Sequence, residues 1–447
     1  MGHGTAAAVV PLAPGAVPVL GHLLGLARGR ALFLQGLRAH GDIVEMRLGR
    51  RPYYLLNAPG AVHEVLVAQR GKFGRGVRPA AAGSADRPAG SAARGGPAPP
   101  GAAPDGRPRR HTAAPSTVHR DRERDRGHGT GYGGTFAAVA REWAGGWQQG
   151  RTIATEREMR DLAAAMLVPV LFPAAGEPGG GAGSDPGPLV RGVLRDTLTL
   201  PATPGSPLPA QRGFRDSAAS LRRLAGSAVR RARSTPEDGG VLALMLAAED
   251  GLSDEEACDE LLTFLVTGVE TTATTLAWAL HLLARHREMA DRVHGEARAA
   301  GPGAAAPADL PYTASFVQEV LRLHQPLRLT GRRALETVRI GRHDIPRGAD
   351  VLYSSAPLRR DPARFADPLR FAPDRWHTGP VGGLPRAADL PVGDGHRRCV
   401  GDGLVWAGLL AALAALTTRW HIHPAPEYRS RALTDGLPLS VSPRAEA

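Results

Sequence analysis

Between Gly41 and Leu56, apolar residues come in short runs, Ile43-Val44, Met46, Leu48 and then Tyr53 to Leu56, separated by Gly49 and Pro52. Such runs broken by Gly and Pro predict a β-hairpin. Pro59 to Gln69 follows with proline at its start and Gly71 past its end, the asymmetry of a short helix. Helical spacing returns at Phe136 to Trp147 and at Glu156 to Leu171, where Pro173 stops it. Ala174 to Pro188, rich in Gly and Pro, reads as a loop. Ser253-Asp254-Glu255-Glu256 is a capping box that opens a long helix through Leu261, Leu262, Leu265, Val266, Leu276, Leu280 and Leu283. Phe316 to Leu323 is a further helix, ended by Pro326, and Leu404 to Leu416 reads as a buried one. Leu329 to Tyr353 reads as short strands with a turn at Ile345-Pro346-Arg347-Gly348. Helices dominate and no internal repeat is visible, so the expected fold class is mainly α with small β-sheets.

One segment departs from this pattern. Between Ala80 and Thr130 there is no Leu, Ile, Met, Phe, Trp or Tyr, and Val118 is the only large aliphatic residue. Such a stretch cannot bury enough apolar surface to offset chain ordering. Residues 78–134 are therefore expected to be an atypical low-complexity segment, either a disordered insert or a frame-shifted stretch of GC-rich coding. The rest of the 447 residues is expected to form a single domain over 1–447.

The net charge of +12 changes the picture less than its size suggests, because Lys72 is the sole lysine and the arginine comes with 56 Gly and 39 Pro. No basic run is interleaved with aromatics in the manner of a single-strand binder, which argues against a nucleic-acid partner. A basic face could still serve an acidic protein partner. Two cysteines cannot build a disulfide framework, a zinc ribbon or an iron–sulfur site, and point to a reducing compartment. The apolar run Ala6 to Ala27 is interrupted by Pro11, Pro14, Gly15, Pro18, Gly21 and Gly25, so neither a membrane anchor nor a clean signal peptide is expected there. A cytoplasmic protein follows.

The chemistry gathers near the C-terminus, in Pro391-Val392-Gly393-Asp394-Gly395-His396-Arg397-Arg398-Cys399-Val400-Gly401. Gly393, Gly395 and Gly401 allow close approach of backbone N–H groups, and flanking arginines favour a thiolate. The dipole of the helix that follows adds to this. The arrangement suits a Cys399 thiolate held beneath a metal porphyrin. It resembles the haem-ligand loop of the cytochrome P450 family, Phe-Gly-x-Gly-x-Arg-x-Cys-x-Gly, with Val392 in place of Phe. Upstream, Thr267-Gly268-Val269-Glu270-Thr271-Thr272 lies in the capped helix, where an interior glycine suggests that something packs close to the backbone. It resembles the family's oxygen-activating motif, (Ala/Gly)-Gly-x-(Glu/Asp)-Thr, with Thr267 replacing the small first residue. A run of helical threonines could otherwise only back-bond to the preceding turn.

Glu319-Val320-Leu321-Arg322 and Phe371-Ala372-Pro373-Asp374-Arg375-Trp376 together resemble the family's Glu-x-x-Arg helix and the arginine that joins it in a buried structural triad. Arg397 matches one propionate-binding position, and Arg332, within Thr330-Gly331-Arg332-Arg333-Ala334, is aligned with another. Cys258 reads as a core residue, and the histidines form no metal-ligand set.

The resemblance implies the cytochrome P450 fold, haem b, and a haem-dependent monooxygenase that inserts one oxygen atom from O2 into a hydrophobic small molecule. Cys399 would ligate the iron, while Glu270 and Thr271 would manage protons. Arg397, Arg332, Gly395 and Gly401 would hold the cofactor. Electrons from NAD(P)H would arrive through a ferredoxin and ferredoxin reductase. The resemblance to bacterial terpene hydroxylases points to a terpenoid or other secondary metabolite, acted on by a monomer. The alternative is a catalytically inactive haem-binding relative or damaged-gene product.

Overall fold

The structure is a computed structural model that describes residues 8–49, 51–75, 132–172, 209–234, 241–246, 252–326, 329–376, 399, 401–425 and 438–444. The atypical segment expected over 78–134 lies outside the described residues up to residue 131, and the Gly/Pro-rich loop from Ala174 lies outside them entirely.

Along the chain, α1 (Leu23–Gly36) precedes β1 (Ile43–Leu48) and β2 (Arg51–Leu56). Next come α2 (Pro59–His63), continued by a π-helical turn at Glu64–Ala68, and β3 (Phe73–Arg75). After these lie α3 (Gly133–Gly145), β4 (Thr152–Ala154), α4 (Thr155–Leu171), α5 (Pro209–Ser234) and α6 (Val241–Leu246). The long helix α7 (Asp254–Arg285) is followed by α8 (Arg287–Ala300) and α9 (Pro311–Leu323). Four short strands, β5 (Thr330–Ala334), β6 (Val338–Ile340), β7 (His343–Ile345) and β8 (Asp350–Tyr353), lead to α10 (Ser355–Leu358). Last are α11 (Asp402–Arg419), β9 (Trp420–Pro424) and β10 (Pro438–Pro443). The chain divides into two compact units, residues 1–83 with 318–399 and residues 84–317 with 400–447.

The first unit is built on a five-stranded sheet of order β1-β2-β8-β5-β3. The expected hairpin forms, with Ile43 opposite Leu56 and Leu48 opposite Arg51. Parallel pairing of β2 with β8 sets Tyr53 opposite Asp350. Tyr54 and Leu56 enter one apolar cluster with Val62, Phe73 and Val351. Tyr53 and Leu55 enter another with Leu34, Leu37 and Leu352. A sheet covered on both faces explains why Tyr53 to Leu56 reads as a continuous apolar run rather than an alternating one.

In the second unit, α7 runs for 32 residues, and its capping box forms as expected: the Glu256 N–H donates to Ser253 Oγ, and the Ser253 N–H donates to the Glu256 carboxylate. It packs extensively on α4, while α11 packs on α3 and α8. Gly133 is where the helix expected from Phe136 starts, and α9 begins at Pro311 rather than Phe316. The earlier start of α9 has a cause remote in sequence. Glu296 of α8 accepts hydrogen bonds from the Tyr312 and Thr313 N–H groups at 2.6 and 2.7 Å, capping donors the helix cannot satisfy itself. Trp143 and Trp147 both donate to Glu158 Oε1, which ties α3 to α4. A small sheet of order β4-β10-β9 completes this unit.

Candidate functional site

The chemistry-bearing stretch of α7 is a threonine stripe with a buried acid beside it. Thr263, Thr267, Thr271 and Thr275 stand four apart, and each hydroxyl donates to the carbonyl one turn back, at 2.6 to 2.8 Å. Back-bonding and a chemical role are therefore not exclusive. Thr271 spends its hydroxyl hydrogen on Thr267 O, and its oxygen lone pairs stay available as acceptors. Thr267 is likewise turned onto its own helix, toward Thr263 O.

Glu270 is buried, with a side chain 9 % exposed, and the chain routes it toward α4. There Arg160 Nε donates to Glu270 Oε1 at 2.7 Å. Gly268 explains how the two helices come so near. A Cβ at that position would lie 3.0 Å from Leu167 Cδ1, so the close packing expected from an interior glycine comes from a side chain of α4. Arg160 lies 110 residues from Glu270, and no local signal marks it in the sequence.

Cys399 is half-buried and stands three residues before α11, whose N-cap is Gly401. Neither cysteine forms a disulfide. At Gly401 and Gly403 no atom among the described residues lies within 4 Å of where a Cβ would sit. A half-buried thiol two residues before a glycine at a helix N-cap is a donor set that fits a thiolate-ligated haem. Cys258 differs: burial pushes its thiol up, against the lowering effect of Arg222, as expected of a core residue. Gly395 and Arg397 lie outside the described residues.

The neighbouring arginines Arg332 and Arg333 have separate fates that the sequence could not assign. Arg333 is engaged in a bidentate pair with buried Asp350, at 3.0 Å through both Nε and Nη2, and Arg51 reaches the same carboxylate at 2.7 Å. The hydrogen bond to Asp350 holds the Arg333 guanidinium above its ordinary range. Arg332, the residue chosen by alignment, bonds only the carbonyl of Gly331 among the contacts described.

The expected triad is assembled in the first unit. Arg322 donates to Glu319 through Nε at 2.8 Å and Nη2 at 2.9 Å, and Arg375 Nε adds a bond at 3.0 Å. The sequence did not reveal two more donors, the Ala372 N–H at 2.9 Å and Trp376 Nε1 at 2.8 Å. Burial pushes the Glu319 carboxyl up, and the bonds from Arg322, Ala372 and Trp376 outweigh it, so the group titrates below the usual carboxylate range.

The cytochrome P450 family profile matches residues 210–441. Cyclooctat-9-en-7-ol 5-monooxygenase of Streptomyces melanosporofaciens is 32% identical over 93% of this chain and 90% of its own length. Pentalenene oxygenase of Streptomyces avermitilis is 27% identical over 94% of this chain and 92% of its own. Among solved structures, the cytochrome P450DA heme domain superposes with a TM-score of 0.76 at 24% identity, covering 98% of both chains. A retinoic acid-bound cyanobacterial CYP120A1 gives a TM-score of 0.77 at 18% identity, over 98% of this chain and 100% of that one. With an acid–alcohol pair, a Glu–Arg–Arg triad and a cysteine loop in this order along the chain, and relatives of that breadth, the chain belongs to the cytochrome P450 family of haem monooxygenases.

Proposed function

We propose that the chain hydroxylates a terpenoid or similar secondary metabolite, using the residues named from its sequence. Cys399 would hold haem iron through its thiolate, and the bound haem would supply oxygen activation at that metal. Thr271 accepts a hydrogen bond with the lone pairs left free by its own bond to Thr267 O, and Glu270 supplies or removes protons one residue away. Arg332 and Arg397 balance the cofactor's carboxylates, and Gly395 and Gly401 keep Cβ atoms out of its way. The observation that carries this reading is the acid–alcohol pair on one turn of α7, a buried Glu270 beside a back-bonded Thr271. The substrate class is suggested by the names of the relatives, one a cyclooctat-9-en-7-ol 5-monooxygenase and another a pentalenene oxygenase. Electrons from NAD(P)H reach the protein through a ferredoxin and its reductase, in a cytoplasmic monomer whose whole length acts as one P450 domain.

The test uses haem-loaded protein, isotopically labelled O2 and a panel of cyclic terpenes and their alcohols. The reduced, CO-treated protein should show the long-wavelength Soret band of thiolate ligation, and Cys399→Ser should abolish it. One labelled oxygen atom should enter the product. A band that survives Cys399→Ser, or product oxygen drawn from water, would refute the reading.

A further inference from the structure

Where α8 meets the residue that follows β10, cations outnumber their counter-charges. Arg287, Asp291, His294 and Arg298 are spaced along α8 so that they share one face of the helix. β9 adds His421 and His423, whose ring centroids are 6.1 Å apart, and the Arg444 N–H donates to Arg419 O at 2.9 Å. The Arg444 side chain is only 10% exposed, yet its ion pair with Asp291 is 3.5 Å long, against roughly 2.7–2.9 Å for a good charge-assisted bond. Its Nε is buried and has no hydrogen-bond partner among the described residues. Asp291 is shared with Arg287, at 3.8 Å, so one half-exposed carboxylate serves two arginines. His294 gives its Nδ1 hydrogen to Thr417 O of α11 at 3.1 Å, which leaves Nε2 to a further partner. Burial first and Arg444 next hold both His294 and His421 toward the neutral form. A corner of this kind is short of an anion.

We infer that this corner is an oxyanion site that takes a phosphate dianion on Arg444, His294 and His421, with Arg287 and Arg298 at its rim and Asp291 as the carboxylate the ligand displaces. The planar guanidinium of Arg444 offers a fork that matches two phosphate oxygens. Arg287 is 78% exposed and Arg298 is exposed, so both are free to swing toward an incoming anion. An imidazole that picks up a proton beside the bound anion becomes a further donor to it. The ligand would fasten the end of β10 to α8. Neither haem nor the oxygenase reaction proposed above enters this inference, so the two stand or fall separately.

The experiment compares wild type, Arg444→Gln, Asp291→Asn and Arg287→Gln as holoproteins, by calorimetric titration with inorganic phosphate at neutral pH and at an ionic strength fixed with sodium chloride. Wild type should bind phosphate saturably. R444Q should bind it about tenfold to a hundredfold more weakly, the span of hydrogen bonds to a charged group. D291N, which removes the competing carboxylate, should bind about twofold to fivefold more tightly, in line with a half-exposed ion pair, and R287Q should bind more weakly. Nuclear magnetic resonance of the histidine side chains gives a second readout. The titration midpoints of His294 and His421 should rise in saturating phosphate, because a nearby anion favours the charged imidazole. Methyl phosphate separates the two sources of the ligand. Equal binding assigns the site to a phosphoryl group carried on a larger molecule, and weaker binding assigns it to the free ion. Absence of saturable binding by wild type, or an affinity that R444Q and D291N leave unchanged, would overturn the inference. Should R444Q not accumulate as folded holoprotein, the opposite shifts in D291N and R287Q carry the test, and equal affinities in those two overturn it.

Discussion

Replacing Glu319 with glutamine removes one negative charge and changes little else in volume. In the native protein that carboxylate accepts two bonds from Arg322 and one each from Arg375, Ala372 and Trp376. Arg322 and Glu319 side chains are both 0% exposed. The amide of glutamine keeps one acceptor oxygen but turns an NH2 group toward donors, and Arg322 becomes a buried cation without its anion. Breaking a buried pair from one side costs about 3–5 kcal/mol. Set against a typical total of about 5–15 kcal/mol, this is a large share of the stability. Arg322 keeps its bonds to the carbonyls of Arg359 and Pro368, at 2.9 and 2.6 Å, which limits the damage to the charge itself. Urea unfolding followed by far-ultraviolet circular dichroism should show the midpoint of E319Q well below wild type. The double variant E319Q/R322M, which removes the stranded cation as well, should recover much of the loss. A cost under about 1 kcal/mol for E319Q, or a double variant worse than the single one, would refute the reasoning.

Other outcomes follow from the same contacts. The depressed Glu319 carboxyl contributes stability above its unfolded value of about 4.3, which is lost as pH falls through its lower folded value. His294 and His421 are pushed down by burial first and by Arg444 next; around them Arg287, Arg298 and His423 are also cationic or titratable, and Asp291 opposes them. Below the unfolded imidazole value of about 6.5 the unfolded chain therefore takes up protons that the native state refuses. Urea midpoints measured downward from pH 8 should begin to fall near there, and less so in Arg444→Gln. Glu296→Ala strips the cap from α9, where the carboxylate serves two backbone N–H groups and the Thr313 hydroxyl. It should cost about 1–2 kcal/mol in the same assay. Gly268→Ala sets the helix-propensity gain of about 1 kcal/mol against a Cβ 3.0 Å from buried Leu167. A net loss is expected from unfolding midpoints, relieved in G268A/L167A relative to L167A.

What could be read along the chain was local. The hairpin, the capping box of α7 and the helix after Cys399 each announce themselves within about ten residues, because hydrogen-bond patterns and caps are decided by near neighbours. The helices that went unread are of another kind. α5 carries arginines along a polar sequence, and α8 begins Arg287-Glu288-Met289-Ala290-Asp291 with few large apolar residues to show a period. Strands β3 and β4 have three residues each, too few for a pattern, and β4 takes its partner from β10, far along the chain.

By itself the sequence determined which groups the protein owns: a thiol in a glycine-rich loop, an acid beside an alcohol on a capped helix, and a glutamate with two arginines in the family's order. Only the tertiary structure decided how those groups are committed. It joined Arg333 rather than Arg332 to Asp350, gave Glu319 the indole of Trp376, and brought Arg160 to Glu270 across 110 residues. The physical reason is that a buried charge must find its counter-charge wherever packing delivers one, and packing is a property of the whole chain.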